Sequence, residues 1–230
     1  LGSIADVRVR GVDGCRGGWV SADVSGPGAD VAWRWWPLDS TRALLLDGMV
    51  AVVAIDVPIG LPDAGQSRAC DREARALLGR RGVSVFPAPS RVVLGAPSYA
   101  EARALLAARG GALMSAQAFG IAPAVAAVDA CVSPGDDERI YECHPEVAFA
   151  LMGGGPGLPG KRTADGAAVR RKLLGRWWPA LGELPPRVPE NDALDALACA
   201  WSALRFARGE AVTLGDGQRD ARDLPMRIVG

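Results

Sequence analysis

The stretch RVRGVDGCRGGWVSADV, residues 8–24, holds two β-rich apolar runs on either side of a glycine-rich turn. The first run, 7–12, stops on a carboxylate, Asp13, and passes at once into Gly14, Gly17 and Gly18. The second, 19–24, follows directly, and a third covers 31–36 beyond Gly26-Pro27-Gly28. In that third run Trp33 and Trp35 alternate with Arg34 and Trp36, the period of a strand with one covered face. Three such runs joined by glycine turns predict a three-stranded antiparallel meander.

Outward from the meander, residues 40–47 read as a short helix capped by Ser40 or Thr41. Residues 50–55 are apolar throughout, which predicts a strand buried on both faces and parallel to the first. It too ends on an acid, Asp56, followed by the breakers Val57-Pro58-Ile59-Gly60-Leu61-Pro62. Helical patterns at 67–78, 99–108 and 115–131 form a helical insertion, residues 66–134. A strand at 139–143, a helical turn at 145–152, a glycine- and proline-rich loop at 153–160 and a helix at 163–174 capped by Thr163 come next. The last long helix is 191–208, and 209–230 reads as a final strand or hairpin. No repeat and no linker divides the chain, so one α/β domain over 1–230 is expected.

Lys+Arg and Asp+Glu balance at 26 each over 230 residues, giving zero net charge. A protein that coats nucleic acid without sequence preference relies on a strong positive field, which this chain lacks. Five scattered cysteines without a CxxC pair, and no leader pattern, fit reduced thiols in the cytoplasm. A single histidine, His144, and no paired cysteines argue against zinc. The longest apolar runs are too short to span a bilayer, so no membrane partner is expected.

The acids carry the chemistry. Asp13 and Asp56 sit where buried strands end, Glu142 lies inside an apolar strand, and Asp192 and Asp195 open the last helix one turn apart. Each has a plainer reading. Asp192 or Asn191 caps the helix, Asp195 favours its dipole, and Asp13 and Asp56 are turn residues. Glu142 is harder to dismiss, because a buried carboxylate needs compensation by an arginine or a metal. Together the acids suit a hard divalent ion, Mg²⁺ or Mn²⁺. Two such ions about 4 Å apart can activate water and stabilise the leaving oxygen of a phosphodiester. The glycines after Asp13 would then let the backbone pass close to metal or phosphate.

The segments GVDGCRGGWV (11–20), AIDVPIGLP (54–62), RACDREARALLGRRGVSVFPAPSR (68–91), YECHPEVAFALMG (141–153), KRTADG (161–166) with Arg170 and Arg171, and NDALDALACAWSAL (191–204) together resemble an uncharacterised-function family of predicted ribonuclease H-like nucleases. The resemblance spans roughly residues 11–208. It implies a ribonuclease H-like mixed sheet, three antiparallel strands then parallel strands, flanked by helices. It also implies metal-binding acids from the first strand, a middle strand and the final helix. Those positions are Asp13, then Asp56 with Glu142 as a further candidate, then Asp192 or Asp195.

Other residues add to the candidate site. His144 could act as a general base at neutral pH, or be a hydrogen-bonded strand-end histidine. Arg16, Arg91, Lys161 and Arg170 are candidate phosphate contacts, against surface ion pairs or a solvated basic face. The rigid segment 84–91, with Phe86 and two prolines, is expected near the site. The tryptophans read as core rather than as a stacking platform. The leading expectation is a metal-dependent nuclease or phosphoesterase acting on nucleic acid or a small phosphoester, with a homodimer allowed. Alternatives are a nucleotide-binding phosphotransferase of the actin and sugar-kinase type, for whose usual duplicated domain 230 residues leave no room, and a non-catalytic binding module on the same fold.

Overall fold

The two runs of the opening stretch pair as β1 (Val9–Cys15) and β2 (Gly18–Val24), antiparallel from Val9 opposite Val24 to Cys15 opposite Gly18. The computed structural model describes residues 7–111 and 114–230. Arg16 and Gly17 make the turn, and Gly17 takes the positive φ of 81° that a glycine adopts without strain. β3 (Ala32–Pro37) adds to β2 antiparallel. β4 (Val52–Ile55) lies along the other side of β1, parallel to it, and β5 (Ile140–Glu142) lies parallel to β4. The order β3-β2-β1-β4-β5 is the mixed sheet, antiparallel then parallel, expected of a ribonuclease H-like fold.

Side chains alternate along each strand, so the register decides which residues share a face. Val9, Ala54 and Tyr141 face one apolar layer, with α6 (Pro145–Gly153), α7 (Ala164–Gly175) and α8 (Glu190–Ala207). Val12, Val53, Ile55 and Ile140 face the other, with Leu44 and Leu45 of α1 (Thr41–Leu45) and Val125 and Val128 of α5 (Ala122–Asp129). β4 is buried along its whole length, as its unbroken apolar run implies. Between β4 and β5 the chain also forms α2 (Ala69–Leu78), α3 (Tyr99–Ala107) and α4 (Ala116–Gly120). The C-terminal segment closes as a two-stranded antiparallel ribbon, β6 (Thr213–Leu214) and β7 (Ile228–Val229).

Two expectations change. The helix read at 115–131 breaks into α4 and α5 around Ile121. Pro123 lacks an N–H and its ring would meet the carbonyl of Phe119 in a continuous helix, so it opens a new helix instead. Trp35 is not core: β3 is an edge strand, and Trp35 stands 43% exposed. Its neighbours do pack. The indole N–H of Trp33 donates to Leu181 O, and the Trp36 ring lies under Arg10 and Arg34. Among the described residues no helix is long and apolar enough to cross a membrane.

The tightest contact between layers is that of α8 with β1. A Cβ built on Gly11 would lie 2.0 Å from the carbonyl oxygen of Ala196 and 2.1 Å from the amide nitrogen of Ala200. Only hydrogen fits there, and the obstacle is helix backbone, which cannot rotate away. Gly11→Ala is therefore expected to cost about 3 kcal/mol or more, at the upper end of overpacking effects. At Gly14 the nearest atom to a built Cβ is Cζ3 of Trp19, 3.9 Å away. Gly14→Ala should stay within about 0.5 kcal/mol of wild type. Urea denaturation of both variants checks the contrast, and equal stabilities would mean that α8 does not rest on Gly11.

Candidate functional site

Asp13 and Asp56 are brought together by the sheet itself. Val12 pairs with Ile55 across the parallel β1–β4 ladder, and the Asp56 N–H donates to Val12 O at 3.0 Å. The next side chains on each strand, Asp13 and Asp56, leave the sheet as neighbours on the α8 side. The helix supplies the third acid. Its N-cap is Pro189, so neither Asn191 nor Asp192 caps it. Asp192 stands half-buried in the first turn, and Asp195, one turn on, is 1% exposed. Into this group reaches Lys161, from the loop before α7, whose Nζ donates to Asp195 Oδ2 at 2.5 Å.

The electrostatics follow from this crowding. Burial pushes the Asp13 carboxyl well above its ordinary range, Asp56 and Asp195 push it further, and Lys161 opposes them. Burial raises Asp56 to about 6, again with Lys161 opposing. Burial raises Asp195 to about 6 as well, against the pull of Lys161. Asp192 is raised by the same cause. For Lys161, burial works against the charge, but Asp195, Asp13 and Asp56 outweigh it and hold the ammonium firmly protonated. Four carboxylates thus share one cation, and the group is short of positive charge.

That shortage, and a donor set made only of carboxylate oxygens, fits a hard divalent ion in kind. In the arrangement described, no three Asp, Glu, His or Cys side chains among the described residues form a ready cluster for a metal. Lys161 engages Asp195 instead and stands in for part of the missing charge.

Glu142 does not join this group. β5 sets it opposite Ile55, so its side chain leaves the sheet on the face away from Asp13 and Asp56. Both its oxygens are taken: Arg68 donates Nη1 to Oε2 at 2.6 Å and Nη2 to Oε1 at 2.7 Å, and the Ile59 N–H donates to Oε2 at 2.9 Å. Of the two compensators that a buried glutamate allows, arginine is the one present. Arg68 also grips Asp71 Oδ1, and its exposure is 1%. Two candidate phosphate contacts are likewise committed elsewhere. Arg91 binds Asp129 at 2.9 Å and Asp220 at 2.5 Å. Arg170, fully buried, binds both oxygens of Glu146 at 2.7 and 2.8 Å, and Arg81 adds a bond to the same glutamate. Arg16 is exposed in the β1–β2 turn and makes no ion pair among the described residues.

A cavity of about 520 Å³ opens over the aspartates. Asp13, Asp56, Asp192, His144 and Lys161 line it, and so does Glu142 with its partner Arg68. His144 precedes α6, whose first residue is Pro145. Its Nε2 lies 3.4 Å from Ser84 O, which requires the proton there, and Nδ1 is buried with no partner. Burial lowers its pKa, so the ring is neutral at pH 7. Phe86, from the proline-containing segment, also lines the cavity, as expected. Sequence reading missed Arg68 and Glu146. Arg68 carries a local signal in its spacing to Asp71, but its partner Glu142 is 74 residues away.

Arg68→Met would leave Glu142 and Asp71 buried without their counter-charge. A loss of about 3–5 kcal/mol is expected, the range for breaking a buried pair from one side. Chemical denaturation reads it, and a loss below about 1 kcal/mol would mean that the pair is not a structural brace.

No curated protein and no solved structure gives a significant match to the chain. The family model described as Protein of unknown function (DUF429) matches residues 11–219, nearly the whole length, and the chain belongs to that family.

Proposed function

We propose that the protein is a divalent-cation-dependent phosphoester hydrolase, a nuclease or phosphoesterase of the ribonuclease H-like kind. One observation carries the reading. Asp13, Asp56 and Asp195, from two strands and the last long helix, meet at one end of the sheet with too little positive charge among them. The resemblance in sequence points to Asp13, to Asp56 with Glu142 as a further candidate, and to Asp192 or Asp195. Mg²⁺ or Mn²⁺ would be held by Asp13 and Asp56, with Asp192 at the cavity edge and Asp195 beneath. When bound, such an ion activates water and offsets charge on the phosphoryl oxygens.

The chain's own residues set the rest of the reaction. The sheet fixes the backbone at Asp13 and Asp56, which limits the reordering that the acids need when ion and substrate arrive. Lys161 is a compact, protonated donor on a glycine-rich loop, suited to meet a phosphoryl oxygen at the cavity floor. Hydrolysis joins the water oxygen to phosphorus, breaks the P–O bond to the leaving alcohol, and returns a proton to that alcohol. Free cysteines at all five positions support a cytoplasmic setting. The phosphotransferase alternative has less support, because the β1–β2 hairpin closes on two residues and offers no longer phosphate loop.

Asp13→Asn is expected to abolish Mn²⁺-dependent cleavage of nucleic acid or of a chromogenic phosphodiester, and to remove the rise in melting temperature that Mn²⁺ gives the wild type. Equal rates in both proteins would reject the reading. The raised acids also set a pH dependence in metal-free protein. Asp56 binds its proton more tightly folded than unfolded, so stability falls as pH rises from about 4 through 6. Asp56→Asn should therefore melt a few degrees above wild type at pH 7.5, with the gap narrowing towards pH 5. A gap that widens on acidification would contradict the charge assignment.

A further inference from the structure

The cavity of about 520 Å³ is lined by Asp13 and Asp56 from the strand ends and by Phe86, Gln117 and Ile121 from the segment between β4 and β5. Ligand cavities of roughly 300–1,000 Å³ enclose single small molecules. A double helix is instead gripped along an exposed run of phosphates.

The lining of the cavity brings together two kinds of chemistry. Gly160, Lys161, Arg162 and Thr163 lead into α7. Thr163 accepts from the Gly166 N–H at 3.0 Å and so fixes the start of a 12-residue helix. Arg162 is exposed and makes no ion pair among the described residues. An anion placed there meets a free guanidinium, the Lys161 ammonium and the positive end of a helix. Phe86 and Ile121, 36% and 37% exposed, add large apolar side chains to the same lining. Gln117 lies beside them with an exposed side-chain amide that offers both donor and acceptor. His144 also lines the cavity, and its buried Nδ1 carries a lone pair with no partner.

We infer that the site takes one nucleotide unit, a nucleoside monophosphate either free or at the end of a single strand, with the phosphate on Lys161 and Arg162 and the base against Phe86 and Ile121. Basic groups for an anion, an aromatic ring and a hydrogen-bonding amide in one cavity match the phosphate, the face and the edge of a nucleotide. The inference rests on the hydrolase reading for the place of the phosphate, and on Phe86 and Ile121 for the base.

Calorimetric titration in Mg²⁺ tests it with adenosine monophosphate, inorganic phosphate, a single-stranded oligonucleotide and a blunt duplex. The wild type should bind adenosine monophosphate saturably and about tenfold or more tighter than phosphate, the scale of one base–aromatic stack. Phe86→Ala, at a half-exposed position, should lose that advantage and leave phosphate binding unchanged, while Arg162→Ala should weaken both. An oligonucleotide that outcompetes the mononucleotide and still depends on Phe86 assigns the unit to a strand end. The inference is overturned if Phe86→Ala changes nothing, or if the duplex binds more tightly than the mononucleotide. Mn²⁺-dependent cleavage without mononucleotide binding defeats the ligand class alone. Mononucleotide binding with equal cleavage by wild type and Asp13→Asn defeats the hydrolase reading alone.

Discussion

The approach of α8 to β1 at Gly11 is the contact on which the site depends. A strand and a helix usually keep a side chain's width between them; here the helix backbone at Ala196 and Ala200 comes down onto the bare Cα of Gly11. Asp195 immediately precedes Ala196, and Asp13 follows Gly11 on the same face of the strand. Closing that gap therefore carries Asp195 to Asp13 and Asp56. The helix is buried from Ala193 to Leu204, and its alanines leave room for neighbours on every side. Apolar burial of that helix is what holds like-charged carboxylates together against their repulsion.

The protein's cations are divided by type. Arginines serve the internal braces: Arg10 with Asp23, Arg68 with Glu142 and Asp71, Arg170 with Glu146. Each presents a planar fork to a carboxylate, a geometry that fixes position as well as charge. The aspartates of the site receive one of the chain's two lysines instead. An ammonium on a flexible stem makes a point contact and releases it more easily than a fork.

Much of the fold was legible because strand and helix periods differ. The meander, the doubly buried β4 and the C-terminal ribbon follow from pattern and turn residues alone. Asp13 and Asp56 were legible as acids that end apolar runs, and Asp195 as a helical acid. Glu142 shows the limit. Its strand could be read, but its face depends on the register between β5 and β4, which no local pattern specifies. A slip of one residue would have turned it towards the aspartates. Arg91 and Arg170 fail for a related reason: their partners Asp129, Asp220 and Glu146 lie far along the chain, and a paired arginine looks like a free one in sequence. Trp35 looked like its neighbours until the sheet order made β3 an edge.

The lysine at the aspartates has one more consequence. It is a counter-ion on a tether, present at the same local abundance whatever the solution contains. On the hydrolase reading, an arriving divalent ion would displace Lys161 from Asp195, so that uptake would be an exchange of partners, and scarcity of the ion would leave the lysine in place and the protein idle.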